Sequence, residues 1–397
     1  MLREFAINVY LIVFRLLFNF FNMFSIHNKT TFITSFNGNV EDTIIELENK
    51  MADDHQVIIL KSSNCKLNFG EERHYHILNF EKAKHFIQSI YHLATSRYII
   101  ADNYYGFLAV TNFKRDVKCV QLWHAAGAIK QFGLTDRSNE YRTECAIKRF
   151  QTVYNRFDHV VVGSDKMISI FKDSFGLPEN RYIRTGIPRT DFFYDEIRKS
   201  KAIDRLQSDF PKINGKKVIM YAPTYRDGEF NSVNLQIDLE QIYEHFKHDY
   251  VLFLRLHPAV NSKFRNKYPD FIYNVSNYFS INHLLLGTDI LITDYSSIPF
   301  EFSLLNKPMI FYAYDLNEYI IKRGLWMDYT NQVPGPVVTS TKELIQVIKE
   351  QDFQLEKVKS FADEWNKYSK GNSCENLINS LYDVGALEHT EKARENV

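Results

Sequence analysis

The feature that most constrains the fold is an alternation, sustained from Thr31 onward, of short apolar runs with segments of helical period. Continuous apolar runs, without the in-and-out alternation of a half-wetted strand, are what a parallel sheet covered on both faces requires. They fall into two series. The first comprises 31–36, 57–60, 98–101, 118–122, 159–162 and 182–185, and the second 218–221, 251–254, 271–273, 290–293 and 309–312. Between them, 191–217 is rich in Lys, Arg, Asp and Ser and carries Pro211 and Asn214-Gly215, which reads as a helix and a turn joining two domains. At 397 residues the chain is long enough to bury two such cores. The expected architecture is α/β, with two Rossmann-like domains over 27–200 and 201–385, the C-terminal helices in the second, and a polar tail over 386–397. No internal repeat of fixed period is visible.

Charge and cysteine usage restrict the partners. Lys+Arg and Asp+Glu both number 48, so no global field favours nucleic acid or an anionic surface, and a charged ligand must be caught by local geometry. Cys65, Cys119, Cys145 and Cys374 show neither CxxC nor Cys/His metal spacing, which excludes a disulfide framework and a structural zinc site and points to a reducing, cytoplasmic compartment.

Residues 1–26 are dense in Leu, Ile, Val and Phe, but Glu4, Asn8, Arg15, Asn19 and Asn22 recur at helical spacing and form one polar stripe. A spanning helix would place Arg15 near its middle, and no small-residue cleavage site follows the apolar run. The reading is an amphipathic, membrane-contacting helix. Its alternative is a first helix docked on the body of the protein.

In open parallel sheets, ligands bind beyond the carboxyl ends of the strands. Six such ends carry reactive or polar residues beside small ones. Trp123-His124-Ala125-Ala126-Gly127, Gly163-Ser164 and Gly186-Ile187-Pro188-Arg189 lie in the first half. Ala222-Pro223-Thr224-Tyr225-Arg226-Asp227, Arg255-Leu256-His257-Pro258 and Asp294-Tyr295-Ser296-Ser297 lie in the second. Two domains facing each other across a cleft would gather them.

Their chemistry suits phosphate. Ser296 and Ser297, ahead of Ile298, Pro299, Phe300 and Glu301, form a strand-to-helix turn whose free N–H groups and hydroxyls suit an anion. Arg255 and Arg189 suit a diphosphate, Thr224 adds a hydroxyl and Arg226 a charge. Ordinary helix capping also accounts for Ser296 and Ser297 taken alone, as ordinary pairing does for Arg189 and Arg226. His124 stands before three small residues that admit a substrate, as a general base requires. His257, two residues after Arg255, is placed to neutralise or protonate a leaving phosphate. Each histidine alone is readily structural, whereas their occurrence at equivalent ends of the two halves favours function.

Trp123-His124, Tyr221-Ala222-Pro223-Thr224-Tyr225-Arg226-Asp227, Arg255-Leu256-His257 and Thr293-Asp294-Tyr295-Ser296-Ser297 with Phe300-Glu301-Phe302 resemble the CDP-glycerol glycerophosphotransferases of wall teichoic acid synthesis. The resemblance runs from about Gln121 to Pro336, and more loosely from the N-terminus to Asn379. It implies a GT-B-like fold, CDP-glycerol as donor, and a polyprenyl-diphosphate-linked disaccharide as acceptor, with the enzyme peripheral on the cytoplasmic face of the membrane. Carried over motif by motif, it implies catalytic roles for His124 and His257. Donor binding falls to Ala125, Ala126, Gly127, Arg189, Pro223, Thr224, Arg255, Ser296, Ser297 and Glu301, with Arg226, Asp227 and Asp294 in support. Much of the family has Trp-His-Gly-Thr-Pro where this chain has Trp123-His124-Ala125-Ala126-Gly127. That form resembles members that add the first glycerol phosphate to a ManNAc-GlcNAc lipid.

The reaction so implied is phosphoryl transfer: His124 takes the proton of an acceptor hydroxyl, which attacks the phosphorus bearing glycerol, and CMP leaves. No Asp-x-Asp or carboxylate cluster offers a metal site, so no cofactor is expected beyond a Mg²⁺ ion accompanying the donor. The alternatives are a chain-extending transferase of the same family, a GT-B nucleotide-sugar glycosyltransferase, and a noncatalytic nucleotide-binding membrane protein. A homo-oligomer stays open.

Overall fold

A computed structural model describes residues 2–36, 38–51, 54–63, 65–66, 75–213, 215–224, 226, 235–256, 264–326 and 328–382. The chain divides into two units, one of Met1–His124, Phe132–Asp191 and Tyr368–Val397, the other of Ala125–Gln131 and Phe192–Lys367.

The first unit holds seven strands: β1 (His27–Thr34), β2 (Gln56–Lys61), β3 (His76–Asn79), β4 (Ser96–Ala101), β5 (Lys118–Gln121), β6 (His159–Val161) and β7 (Tyr182–Ile183). They pair in parallel in the order β3-β2-β1-β4-β5-β6-β7. The second unit holds β8 (Lys217–Ala222), β9 (Tyr250–Leu254), β10 (Ile272–Asn274), β11 (Ile290–Thr293), β12 (Met309–Tyr312) and β13 (Val337–Val338), ordered β10-β9-β8-β11-β12-β13. Both are doubly wound Rossmann orders, reversing direction between β1 and β4 and between β8 and β11. Central strands such as β11 and β12 are buried at every residue, which is why their sequences read as unbroken apolar runs. β3 and β13, absent from the expected runs, each lie at one edge of their sheet: one is partly exposed and the other is two residues long.

The boundary falls at Asp191 rather than at 200, because the helix Glu196–Asp209 packs on Ile281–Gly287 of the second unit, where Gly287 leaves room for Leu206. The helix Ser373–Leu381, expected in the second domain, belongs to the first. The Ser373 and Cys374 amides donate to the Asp191 carboxylate at 2.9 and 2.8 Å, and Lys50 meets Glu375 at 2.8 Å. The tail over 386–397 lies outside the described residues.

Helix α1 (Leu2–Phe21) has two apolar sides. On one, Phe14 stacks on Phe107 at 5.0 Å and meets Phe86 edge-on, Phe18 meets Phe113 at 5.5 Å, and Phe21 meets Tyr91 at 5.5 Å. Glu4 reaches Arg149 at 3.4 Å, and Asn22, just past the helix, donates to the Asn112 carbonyl at 3.0 Å. On the other side Phe5, Val9, Ile12, Val13, Leu16 and Phe20 are exposed, Phe5 and Leu16 by about two thirds (67% and 65%). The exposed row Asn8, Arg15, Asn19 runs between the two sides of a 3.6-residue helix. The docked reading therefore holds for one side, although the helix is also long and apolar enough to cross a membrane. Phe18→Ala should cost unit stability about 3–5 kcal/mol, whereas Leu16→Gln should change it by less than about 0.5 kcal/mol. Urea unfolding of the two variants measures both.

Candidate functional site

At the reversal point of the first sheet, the chain leaving β4 begins with Asp102, fully buried at 0% exposure. Its carboxylate accepts from the Ser35 amide (3.1 and 3.2 Å), the Phe36 amide (3.3 Å), the Thr34 hydroxyl (2.7 Å) and the Tyr105 hydroxyl (2.7 Å). Burial raises its pKa above the usual carboxylate value, against the pull of those four donors.

Beyond β5, Trp123 adopts φ 62°, a left-handed conformation costly for a bulky side chain. Two amide side chains hold it: Gln121 Oε1 accepts from the Trp123 N–H at 2.9 Å, and Asn39 Nδ2 donates to the Trp123 carbonyl at 2.7 Å. The indole packs on Phe132 and Phe171. This turn delivers His124 to the Asp102 main chain, with Nδ1 3.1 Å from the Asp102 carbonyl oxygen. A carbonyl can only accept, so Nδ1 carries the proton of the neutral ring and Nε2 keeps its lone pair. The half-buried imidazole lies between Phe36 and Trp123, each 4.3 Å away and 24° and 28° from parallel. Burial, with the nearby charge of Arg189, pushes its pKa down to about 4, so it is neutral at physiological pH. Arg189 donates from Nη1 to the His124 carbonyl at 2.8 Å. The turn that presents Arg189 needs Gly186, whose φ is 86° and where a Cβ would meet the Tyr368 carbonyl at 2.6 Å.

The second unit repeats the arrangement with different chemistry. Asp294, 2% exposed, follows β11 and accepts from the Thr224 and Tyr295 amides at 2.8 and 2.7 Å. Its other oxygen faces Arg226 at 3.0 Å, while Arg226 Nε and Nη2 fork onto Asp315 at 2.7 and 3.0 Å. Tyr295, Tyr314 and Tyr319 turn ring faces to the guanidinium at 4.9–5.4 Å. Burial works against that charge, yet the Asp315 hydrogen bonds and the Asp294 charge hold Arg226 above its ordinary pKa. Arg226, expected beside a donor phosphate, is thus committed inside the unit.

Arg255 is the contrast. It leaves β9, the neighbour of β8, and its side chain reaches only the Val275 carbonyl at 3.4 Å, with no ion pair to a carboxylate among the described residues. Burial alone lowers its pKa. Thr224, at the end of β8, has a buried hydroxyl with no hydrogen-bond partner among the described residues. A half-buried cation with no carboxylate partner among the described residues, and an unsatisfied hydroxyl at the end of the neighbouring strand, each suit an incoming anion.

Ser296 and Ser297 are half-buried where the helix Ile298–Phe302 opens, with Pro299 in its first turn. Ser296 Oγ accepts from the Ile298 amide at 3.2 Å, so capping accounts for Ser296, whereas Ser297 makes no side-chain cap. Glu301 is buried in this helix, and Pro223 is half-buried after β8. Ala125 and Ala126 are buried in the second unit, and Gly127 lies against Phe300, where a Cβ would stand 2.5 Å from the ring. At Gly127 the missing side chain makes room for that ring. His257 and Asp227 lie outside the described residues. Among the described residues, no three His, Cys, Asp or Glu side chains gather as metal ligands would.

Asp102 and Phe36 were not singled out from sequence, and Asp315 drew notice only as the end of the segment Ile310-Phe311-Tyr312-Ala313-Tyr314-Asp315, which adds to the family resemblance, without a role of its own. Asp102 follows its apolar run as directly as Asp294 follows 290–293, and that equivalence was the available signal. Arg226→Ala would strip the buried Asp294 and the half-buried Asp315 carboxylates of their shared counter-charge and should lower stability by about 3–5 kcal/mol. Arg255→Ala should stay within about 1 kcal/mol, since no buried partner is stranded. Denaturant titration of the two variants separates the paired arginine from the unpaired one.

The chain matches the family model described as CDP-Glycerol:Poly(glycerophosphate) glycerophosphotransferase over residues 17–383. It is 40% identical over 384 residues to the teichoic acid glycerol-phosphate primase of Bacillus subtilis (strain 168), covering 96% of this chain and 98% of that protein. It is 36% identical over 296 residues to the teichoic acid poly(ribitol-phosphate) polymerase of Bacillus spizizenii (strain ATCC 23059 / NRRL B-14472 / W23), covering 73% of this chain and 47% of the polymerase. A solved structure of the wall teichoic acid polymerase TagF is similar in fold, with a TM-score of 0.79, 25% identity and 96% of each chain covered. The two doubly wound units are accordingly of the GT-B-like class.

Proposed function

Because the chain belongs to the CDP-glycerol:poly(glycerophosphate) glycerophosphotransferase family, we propose that it transfers glycerol phosphate from CDP-glycerol to the ManNAc-GlcNAc disaccharide of a polyprenyl-diphosphate lipid, releasing CMP. The priming role, addition of the first unit, is supported by the 40% identity that runs through 98% of a glycerol-phosphate primase. The observation that carries the chemistry is the state of His124. Its Nδ1–H is committed to the Asp102 carbonyl, its ring is neutral, and Nε2 keeps its lone pair.

In this reading the acceptor hydroxyl gives its proton to His124 Nε2 as its oxygen attacks the phosphorus bearing glycerol. The bond from that phosphorus to the bridging oxygen breaks, and CMP leaves with the electron pair. The second unit supplies donor contacts: the Arg255 guanidinium, the Thr224 hydroxyl, and the hydroxyl and amides at Ser297 hold the diphosphate. Arg189 in the first unit adds positive charge, and His257 is assigned to the leaving phosphate. Asp294 and Asp315 are both paired to Arg226. A Mg²⁺ ion accompanying the donor would supply positive charge to its phosphates. The exposed side of α1 rests in the headgroup region of the cytoplasmic leaflet, where a lipid-linked acceptor is held.

His124→Ala should reduce CMP release about 10²–10⁴-fold at unchanged donor affinity, read by single-turnover kinetics and calorimetry. In the wild type, kcat/KM should stay level from neutral pH down to about 5 and fall as pH drops through about 4, where the imidazole gains its proton. The folded-state pKa lies below the unfolded value of about 6.5, so this residue's contribution to stability is present above that pH and is lost as pH falls toward 4. The deciding experiment for the function offers CDP-glycerol with unprimed and singly primed lipid disaccharide in equal amounts and weighs the products. A single added glycerol phosphate on the unprimed lipid is expected. A product ladder would indicate chain extension, and consumption of a nucleotide sugar without CMP release would indicate a glycosyltransferase.

A further inference from the structure

The imidazole of His124 is confined by a small set of groups, all in the first unit. Phe36 covers one face and Trp123 the other, both at 4.3 Å and near parallel. The ring edge carrying Nδ1 is tied to the Asp102 carbonyl. The placement of Phe36 is set by the same residue, since the Phe36 amide donates to the Asp102 carboxylate at 3.3 Å and the neighbouring Ser35 amide does so at 3.1 Å. The Thr34 hydroxyl, whose one proton goes to the Asp102 carboxylate at 2.7 Å, lies 3.1 Å from the Phe36 carbonyl oxygen. Asp102 therefore grips the ring with its main chain and the covering phenyl group with its side chain. The charged and titratable groups around the imidazole are Arg189, which donates to the His124 carbonyl, and the Asp102 carboxylate, turned toward residues 34–36 and Tyr105.

We propose that Phe36 and Asp102 are positioning residues for the proton transfer: together with Trp123 they hold the His124 imidazole in a slot that permits one orientation, with Nε2 as its open basic nitrogen. The inference rests on the transfer reading above and says how that site is preorganised. Two physical arguments support it. A base fixed in its productive orientation avoids the rotational search that costs rate when a reacting group is displaced by even 1 Å. The imidazolium formed on proton transfer also lies between two aromatic faces, whose quadrupoles attract a cation, which offsets in the protonated state the penalty that burial and Arg189 impose. The Asp102 carboxylate does not touch the ring, so orientation comes from a carbonyl and two aromatic faces.

The test is Phe36→Leu, which keeps bulk and leaves the main-chain bonds to Asp102 in place while removing the ring face. Phe36→Tyr serves as the conservative variant, and Phe36→Met replaces the leucine variant if that does not fold. The expected result is a fall in kcat of about tenfold or more with KM for CDP-glycerol within about twofold, restored to within about threefold in Phe36→Tyr. Histidine-selective ¹⁵N and ¹H spectra give a readout independent of turnover. Wild-type His124 should show the Nδ1–H tautomer and ring protons shifted upfield by both aromatic faces, and Phe36→Leu should lose part of that shift. A kcat within twofold of wild type, a loss confined to the donor KM, or an unchanged His124 ring-proton shift would each overturn the proposal. Wild-type protein that shows the expected spectrum but releases no CMP would count against the transfer reaction and leave the positioning inference standing on its spectrum.

Discussion

One carboxylate at the reversal point of each sheet organises the structure around it. In a doubly wound sheet the chain leaves the first and fourth strands toward opposite faces, and the amides just past those strands lose their ladder partners. Asp102 and Asp294 answer that need in the same way, each buried, each accepting from amides just past the first strand of its sheet, at Ser35 and Phe36 in one unit and Thr224 in the other. Burying a carboxylate is costly unless its oxygens are well supplied with donors. The first unit supplies neutral ones, two amides and two hydroxyls. The second supplies an arginine and then needs Asp315 and three tyrosine faces to accommodate it. The neighbouring features follow from the two anchors: His124 hangs from the Asp102 carbonyl, and Thr224, fixed by its amide, is left with a hydroxyl to offer.

Arg226 and Arg255 show how little a residue type says before its partners are known. They leave adjacent strands, and the sequence offered both as phosphate contacts. Packing distinguishes them: Arg226 has a carboxylate on each side, whereas Arg255 meets only a carbonyl among the described residues. The first is the kind of buried network that specifies a core, and the second stores uncompensated charge that a ligand can relieve.

Legibility followed burial. Most of the eleven runs were readable because strands buried on both faces leave unbroken apolar stretches, while β3 and β13, each at one rim of its sheet, carry too little apolar sequence to stand out. The chain order of His124, Thr224, Arg255 and Ser297 at strand ends was readable for the same reason. The meaning of Ala125, Ala126 and Gly127 was not, because small residues serve substrate access and close packing alike, and only the Phe300 ring under Gly127 tells which applies there. The left-handed turn at Trp123 left no signature either, since a tryptophan is among the last residues expected at positive φ. The polar stripe of α1 was visible as a stripe, but not as the border between two apolar sides, one of which needs Phe86, Phe107 and Phe113 to exist.

That dependence gives α1 a history during synthesis. The helix leaves the ribosome before the aromatic residues that cover its protein-facing side, which follow many tens of residues later, on the order of ten seconds at ordinary elongation rates. Over that interval Phe14 and Phe18 are as unprotected as Phe5 and Leu16, and the nascent segment offers both of its apolar sides, parted by the polar stripe, to a chaperone or a bilayer. The central strand β1 follows α1 after a few residues, so whatever holds the helix at that stage also sets where the first sheet assembles. The address of the protein is thus open to decision before its fold is complete.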